Sequence, residues 1–182
     1  GSDGVAASTP RSYVDDVRGW DFIGHLSDNG TPADPLDDEW VPDNDPSDED
    51  GHGTHVAGIA AADSNLSGGV GVNPQAKIMP LRAGDANGIF PFGAIEEAFS
   101  YAVDHGARVV NASFGGTTSS PGMEAIITAN PQTLFVVAAG NHGNDHENGG
   151  SSRIYPCDIT APNIICVAAS HYHVQLADFS DY

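Results

Sequence analysis

Asp50-Gly51-His52-Gly53-Thr54-His55-Val56-Ala57-Gly58 stands where the texture of this 182-residue chain changes. Ahead of it, the first fifty residues are rich in Asp, Pro, Gly and Ser. They are interrupted by the apolar Trp20-Asp21-Phe22-Ile23-Gly24, which predicts a short strand, and Asp34 to Asp50 predict a long acidic loop. Behind it, apolar runs alternate with helical patterns, the signature of βαβ units. Within the stretch, two histidines three apart on a helix share a face, so a metal pair is conceivable. The zinc-protease pattern, however, spaces its histidines four apart with a glutamate after the first, and Gly53 occupies that place. A glycine on either side of His52 instead keeps the backbone slim, so that the ring can face a cleft at the start of a helix.

From that helix, His52 to Ala62, whose residues predict burial on most sides, the pattern continues through a strand at Ala76 to Leu81. A helix follows, with Ala94, Ile95, Ala98, Phe99, Ala102 and Val103 on one face, stopped at Gly106. Arg108 to Phe114 predict the next strand, Met123 to Ala129 a helix, and Thr133 to Ala139 and Asn163 to Ala169 two further strands. Continuous apolar runs between amphipathic helices indicate an α/β fold with a mainly parallel sheet covered on both faces and its functional edge at the carboxyl ends of the strands. The expected organisation is one domain over residues 1–182, with 1–50 an acidic, loop-rich opening segment and 51–182 the α/β core.

The composition narrows the partners. Six Lys and Arg against 25 Asp and Glu give a formal charge of -19, which speaks against nucleic acid or an anionic membrane surface. No run reaches the roughly 18 to 20 apolar residues of a membrane span. The acid excess fits either bound calcium, which takes oxygen ligands, or a solvated surface. Cys157 and Cys166 are read as a disulfide, implying an oxidising compartment, or as two buried thiols. Gly1-Ser2 reads as a scar of recombinant production, so that an upstream leader or pro-segment could have been removed.

His52-Gly53-Thr54-His55-Val56-Ala57-Gly58 resembles the histidine motif of the subtilisin-like serine protease family. Lys77 to Arg82, after the turn Gly68-Gly69-Val70-Gly71-Val72-Asn73-Pro74, is similar to the family's next strand. Asn111-Ala112-Ser113-Phe114-Gly115-Gly116 is similar to its substrate-binding strand, and Val137-Ala138-Ala139-Gly140-Asn141 to its oxyanion motif. The resemblance runs from about Val14 to Tyr182 and implies the subtilisin-like three-layer α/β fold, here incomplete. It makes His52 the general base and Asn141 the side-chain donor to the oxyanion, with His55 a structural partner. It places Ser113, Phe114 and Gly115 along an extended polypeptide substrate as an added strand, Ala138, Ala139 and Gly140 on the opposite wall of the primary pocket, and Asn87 and Gly88 on the far side of the substrate.

The departures are as specific as the matches. No Asp-Thr-Gly or Asp-Ser-Gly tripeptide supplies the orienting aspartate. Asp15 and Asp16 resemble the stretch that follows it, and neither Ser113 nor Ser180 matches the family's nucleophile motif. The chain alone is therefore expected to be inert, the serine lying on remaining segments or a second chain, with a pro-segment inhibitor as a further partner. The resemblance also implies calcium at Asn65, Ser67 and Gly69, and the acidic residues Asp43, Asp45, Asp48, Glu49 and Asp50 form a candidate for a second ion. A secreted or endomembrane-lumen location follows from the cysteines and the resemblance. The competing reading from another class is a non-catalytic module that holds an extended peptide along Ser113 to Gly115. Because a sheet lacking its first strand and final helices exposes apolar faces, the isolated chain is expected to need its missing parts, a partner or self-association.

Overall fold

A computed structural model describes residues 19–27, 39–65, 68–146 and 153–182. Asp15, Asp16, Ser67 and the first residues of the acidic stretch, 34–38, lie outside this set. The chain forms two compact units, residues 1–94 and 95–182.

In the first unit, strand β1 (Trp20–Ser27) pairs antiparallel with β2 (Glu39–Asp43) and parallel with β3 (Leu81–Arg82). Two sequence expectations change here. The acidic loop contains β2, because Pro42 is tolerated on a strand at the edge of a sheet. The strand expected over Ala76 to Leu81 contracts to Leu81–Arg82, since Pro80 has no N–H to donate to a ladder and contributes only its carbonyl, to the N–H of Trp20. Phe22 and Ile23 are buried, and the buried Asp21 accepts from Arg82 Nη1 at 2.6 Å while Arg82 Nη2 donates to Glu49 at 2.7 Å. Helix α1 (His52–Ala61) forms where the sequence placed it, but contrary to expectation none of its residues is buried and Ile59 is exposed. Ala and Gly give it a nearly uniform surface with no bulky stripe, so little is available for packing.

Helix α2 (Phe92–Asp104), whose residues from Ile95 onward belong to the second unit, leads through Gly106, at φ +77°, into a parallel sheet of β4 (Val109–Ala112), β5 (Leu134–Ala138) and β6 (Ile164–Val167), with α3 (Pro121–Ala129) between β4 and β5. The register aligns Val110, Phe135 and Ile164, then Ala112, Val137 and Cys166, on one face. Phe99 of α2 meets Phe135 at 5.2 Å between ring centres, and Met123 and Ile127 of α3 are buried. Ser120 caps α3 by accepting from the Met123 N–H, and the Asn163 amide donates to the carbonyls of Ile127, Asn130 and Thr133, fixing the end of α3 to the start of β5 and β6. The opposite face differs from the fully covered sheet expected. Val109, Ile165 and Val167 on it are about half exposed, at 56%, 49% and 48%. Cys157 and Cys166 form a disulfide with their Cα atoms 5.1 Å apart.

Candidate active site

His52 is the first residue of α1, and its ring is exposed, with no hydrogen-bond partner among the described residues. The helix start is fixed from outside. Gly51 takes the left-handed φ of +94° and has no side chain to cap with, so Asp48 does so instead. Its Oδ1 accepts from the N–H groups of Asp50 and Gly51, and its Oδ2 from the Thr54 N–H and hydroxyl, each at 2.7 Å. Asp50 accepts from the His52 N–H at 3.1 Å. These bonds, that of Gly51 foremost and then those of Thr54, hold the Asp48 carboxyl well below the usual carboxylate range. A carboxylate at this end also suits the helix dipole. At the other end, the N–H groups of Gly71, Val72 and Asn73 satisfy the carbonyls of Ala62, Ile59 and Ala60, and a Cβ on Gly71 would sit 2.3 Å from the Ala62 nitrogen. Backbone hydrogen bonds thus sew residues 71–73 to the helix.

The loop at Asp85 to Ile89 holds Asn87 and Gly88. Asp85 accepts from the N–H groups of Ile89 and Asn87, and the Ile89 bond chiefly keeps its carboxyl below the ordinary range. Gly88 sits at φ +72°, and Asn87 and Gly88 are exposed.

In the second unit, Ser113 to Gly115 continue from the carboxyl end of β4 toward an antiparallel bridge between Gly116 and Tyr155. Ser113 accepts from the Asn111 amide at 3.0 Å. A Cβ on Gly115 would meet Ile154 Cγ2 at 2.7 Å, so any larger residue there has to displace that side chain. Ala138 ends β5, Ala139 is buried and bonded through its N–H to Val167, and Gly140 turns the chain at φ +121°. Asn141 follows, exposed and without a hydrogen-bond partner among the described residues. Strand ends β4 and β5 therefore bring the expected substrate-strand and oxyanion residues to the same edge of one parallel sheet, where open α/β sheets bind ligands.

The Subtilase family model of peptidases matches residues 23–182. The chain belongs to the subtilase family. Thermitase of Thermoactinomyces vulgaris is 35% identical over 98% of this chain, which spans 56% of its length. A thermophilic serine proteinase of Bacillus sp. (strain AK1) is 36% identical over 91% of the chain and 36% of its own length. The crystal structure of a psychrophilic subtilisin-like protease from the Antarctic psychrotroph Pseudoalteromonas sp. AS-11 superimposes with a TM-score of 0.61 at 30% identity, covering 79% of this chain and 32% of that one. The chain thus spans little more than half of thermitase and about a third of the other two. The α/β fold of this subtilase is an incomplete version of that of the psychrophilic protease.

Within the subtilase frame, the acidic residues before His52 are occupied internally. Asp43 is 2.8 Å from His25 Nδ1 and accepts from the Asp45 N–H, Asp45 accepts from Ser47, and Glu49 pairs with Arg82. With both Asp48 oxygens accepting as well, these carboxylates serve turns, a helix cap and an ion pair, and among the described residues no group of three or more His, Cys, Asp or Glu is placed to hold a metal. Asn65 and Gly69 are exposed, with Ser67 between them outside the described residues.

Two contributors were missed by sequence reasoning. Asp48, four residues before His52, had a readable signal, an aspartate just ahead of a helix, but was absorbed into the acidic loop. Asp181 had none, for it reaches the Asn141 loop from forty residues downstream.

Proposed function

We propose that this chain is the central part of the catalytic domain of a serine endopeptidase, which cleaves peptide bonds by a Ser-His-Asp mechanism completed by residues outside residues 1–182. His52 takes the proton of the nucleophilic serine and returns it to the leaving amine. Asn141 donates its side-chain N–H to the oxyanion of the tetrahedral intermediate. The polypeptide substrate lies extended along Ser113, Phe114 and Gly115, with Ala138, Ala139 and Gly140 as the pocket wall and Asn87 and Gly88 beyond it. The small wall residues leave room for a large side chain.

The observation that carries this reading is the pairing, in one subtilase chain, of an exposed histidine on the first turn of a capped helix with an exposed asparagine on a strand-end loop. A module that only bound peptides would need neither a proton acceptor nor an oxyanion donor. Calcium enters the reading only through Asn65, Gly69 and the residues between them, whose amide and carbonyl oxygens are ligands of the hard type that calcium takes. The Cys157–Cys166 disulfide supports a secreted or luminal location, and a pro-segment inhibitor remains a candidate partner.

The test is labelling with an active-site fluorophosphonate, with intact mass and turnover of extended peptides. Label on a serine outside this chain, with turnover falling about a millionfold in His52→Ala, is the expected result. A single unlabelled chain that binds such peptides without cutting them would replace the protease by a peptide-binding module.

A further inference from the structure

Gly140, His142, Gly143 and Asn144 are each tied to residues 179–182, while Asn141 in their midst stays exposed. The Asp181 N–H donates to the Gly140 carbonyl at 3.1 Å, the Gly143 N–H to Phe179, and the Tyr182 N–H to Asn144. The Asp181 side chain does more than extend this ladder. It is fully buried, and its Oδ1 accepts from the N–H groups of both His142 and Asn144 at 2.8 Å. Its Oδ2 lies 3.4 Å from His142 Nδ1 and 3.7 Å from His146 Nε2. A Cβ on Gly140 would stand 2.1 Å from that oxygen, so the carboxylate fills the space which the missing side chain leaves.

We propose that Asp181 is the positioning residue of the oxyanion donor: by holding the N–H groups on both sides of Gly143 and seating against Gly140, it sets where Asn141 points. A free loop of this composition, Gly-Asn-His-Gly-Asn, has two glycines and so many backbone states that the amide would be placed only at a considerable entropic cost. Two bonds to one buried carboxylate remove that freedom without touching Asn141 itself, leaving its amide for the oxyanion. Burial pushes the Asp181 carboxyl up, but the N–H groups of Asn144 and His142 together outweigh it and hold the group below its ordinary range. The groups around it are His142, His146 and, behind His146, Asp158, whose carboxylate is 3.3 Å from His146 Nδ1.

This inference rests on the reading of Asn141 as oxyanion donor, and its test separates the two. In the whole protease that carries this segment, kcat and KM are measured per titrated active site, so that unfolded enzyme does not count. Asn141→Ala should lower kcat by about 100- to 1,000-fold. Asp181→Ala should lower it by about 10- to 100-fold with KM little changed, the size expected of a misplaced catalytic group. Asp181→Asn, whose single carbonyl can accept both N–H groups, should recover most of that loss. The double variant should be no slower than Asn141→Ala, because a residue acting through another adds nothing once the other is gone. Should Asp181→Ala fail to fold, Asp181→Glu keeps the charge but displaces it by a methylene, and should cost about tenfold. Unchanged kcat in Asp181→Ala or Asp181→Glu beside a crippled Asn141→Ala, or multiplicative losses in the double variant, would overturn the positioning role alone. Unchanged kcat in Asn141→Ala would overturn the oxyanion reading and this one with it.

Discussion

The His52 helix and the Asn141 loop are held by opposite means. Helix α1 has no buried residue, and hydrogen bonds at its two ends fix it, from Asp48 four residues upstream of His52 and from the 71–73 backbone just downstream. The Asn141 loop follows a strand whose Phe135 and Val137 are buried, and its clamp, Asp181, is remote in sequence and fully buried. Local capping places a group with few neighbours. A buried carboxylate places one where the backbone turns too sharply for caps. The lesson is that the two groups proposed for catalysis depend on different forces and should fail differently.

The sharpest way to break the contrast is Gly140→Ala. With φ at +121° and Asp181 Oδ2 2.1 Å from the new Cβ, either the carboxylate or the loop has to move. A loss of about 2 to 4 kcal/mol in the second unit is expected, combining backbone strain with displaced hydrogen bonds. Denaturant unfolding followed at the two units separately checks it, and a loss shared equally by the first unit would erase the distinction.

Asp48→Ala comes next. Removing the cap should cost about 1 to 2 kcal/mol, felt as faster amide exchange over α1 with the β5 amides unchanged. Protection that falls in β5 as well would show that the helix is not held locally.

Acid should reach both regions through the same mechanism. Asp48 and Asp181 have folded pKa values below their unfolded ones. Each therefore contributes stability that is complete above about pH 4, the unfolded carboxylate value, and that disappears as pH falls through the lower folded value. Stability measured from pH 6 downward should hold to about 4 and then decline. Asp48→Asn should flatten that decline for α1 only.

The smallest expected effect lies on the open sheet face. Ile165 and Val167 are about half exposed, so Val167→Lys should change stability by about 0.5 kcal/mol or less. It should nevertheless reduce self-association of the isolated chain, read by sedimentation. A sharp, concentration-independent two-state melt of the unsubstituted monomer would count against any need for cover on that face.

The helices over Phe92–Asp104 and Pro121–Ala129 and the strands β4, β5 and β6 were legible, because each needs only local periodicity and a stop such as Gly106. The strand at Ala76 was overextended because the missing Pro80 donor matters only beside a partner strand, and β2 was hidden because acidic residues and a proline suit an edge that sequence cannot identify as one. Burial was misjudged for α1, where an apolar composition does not say whether anything lies against it. For the site, His52 and Asn141 could be named from motifs that are contiguous in the chain.

By itself, then, the sequence determined the family, the parallel α/β pattern and the two exposed groups proposed for catalysis, since each is written in residues within a few positions of one another. Only the tertiary structure decided that Asp43, Asp45, Asp48 and Glu49 serve turns, a helix cap and an arginine. It alone decided that Cys157 meets Cys166, and that Asp181 returns to the Asn141 loop. The physical reason is that a carboxylate or a thiol carries no mark of its partner: the local bonds of Asp43, Asp45 and Asp48 depend on the turn the backbone takes, and those of Glu49 to Arg82 and of Asp181 to the Asn141 loop exist only once folding has brought distant residues together.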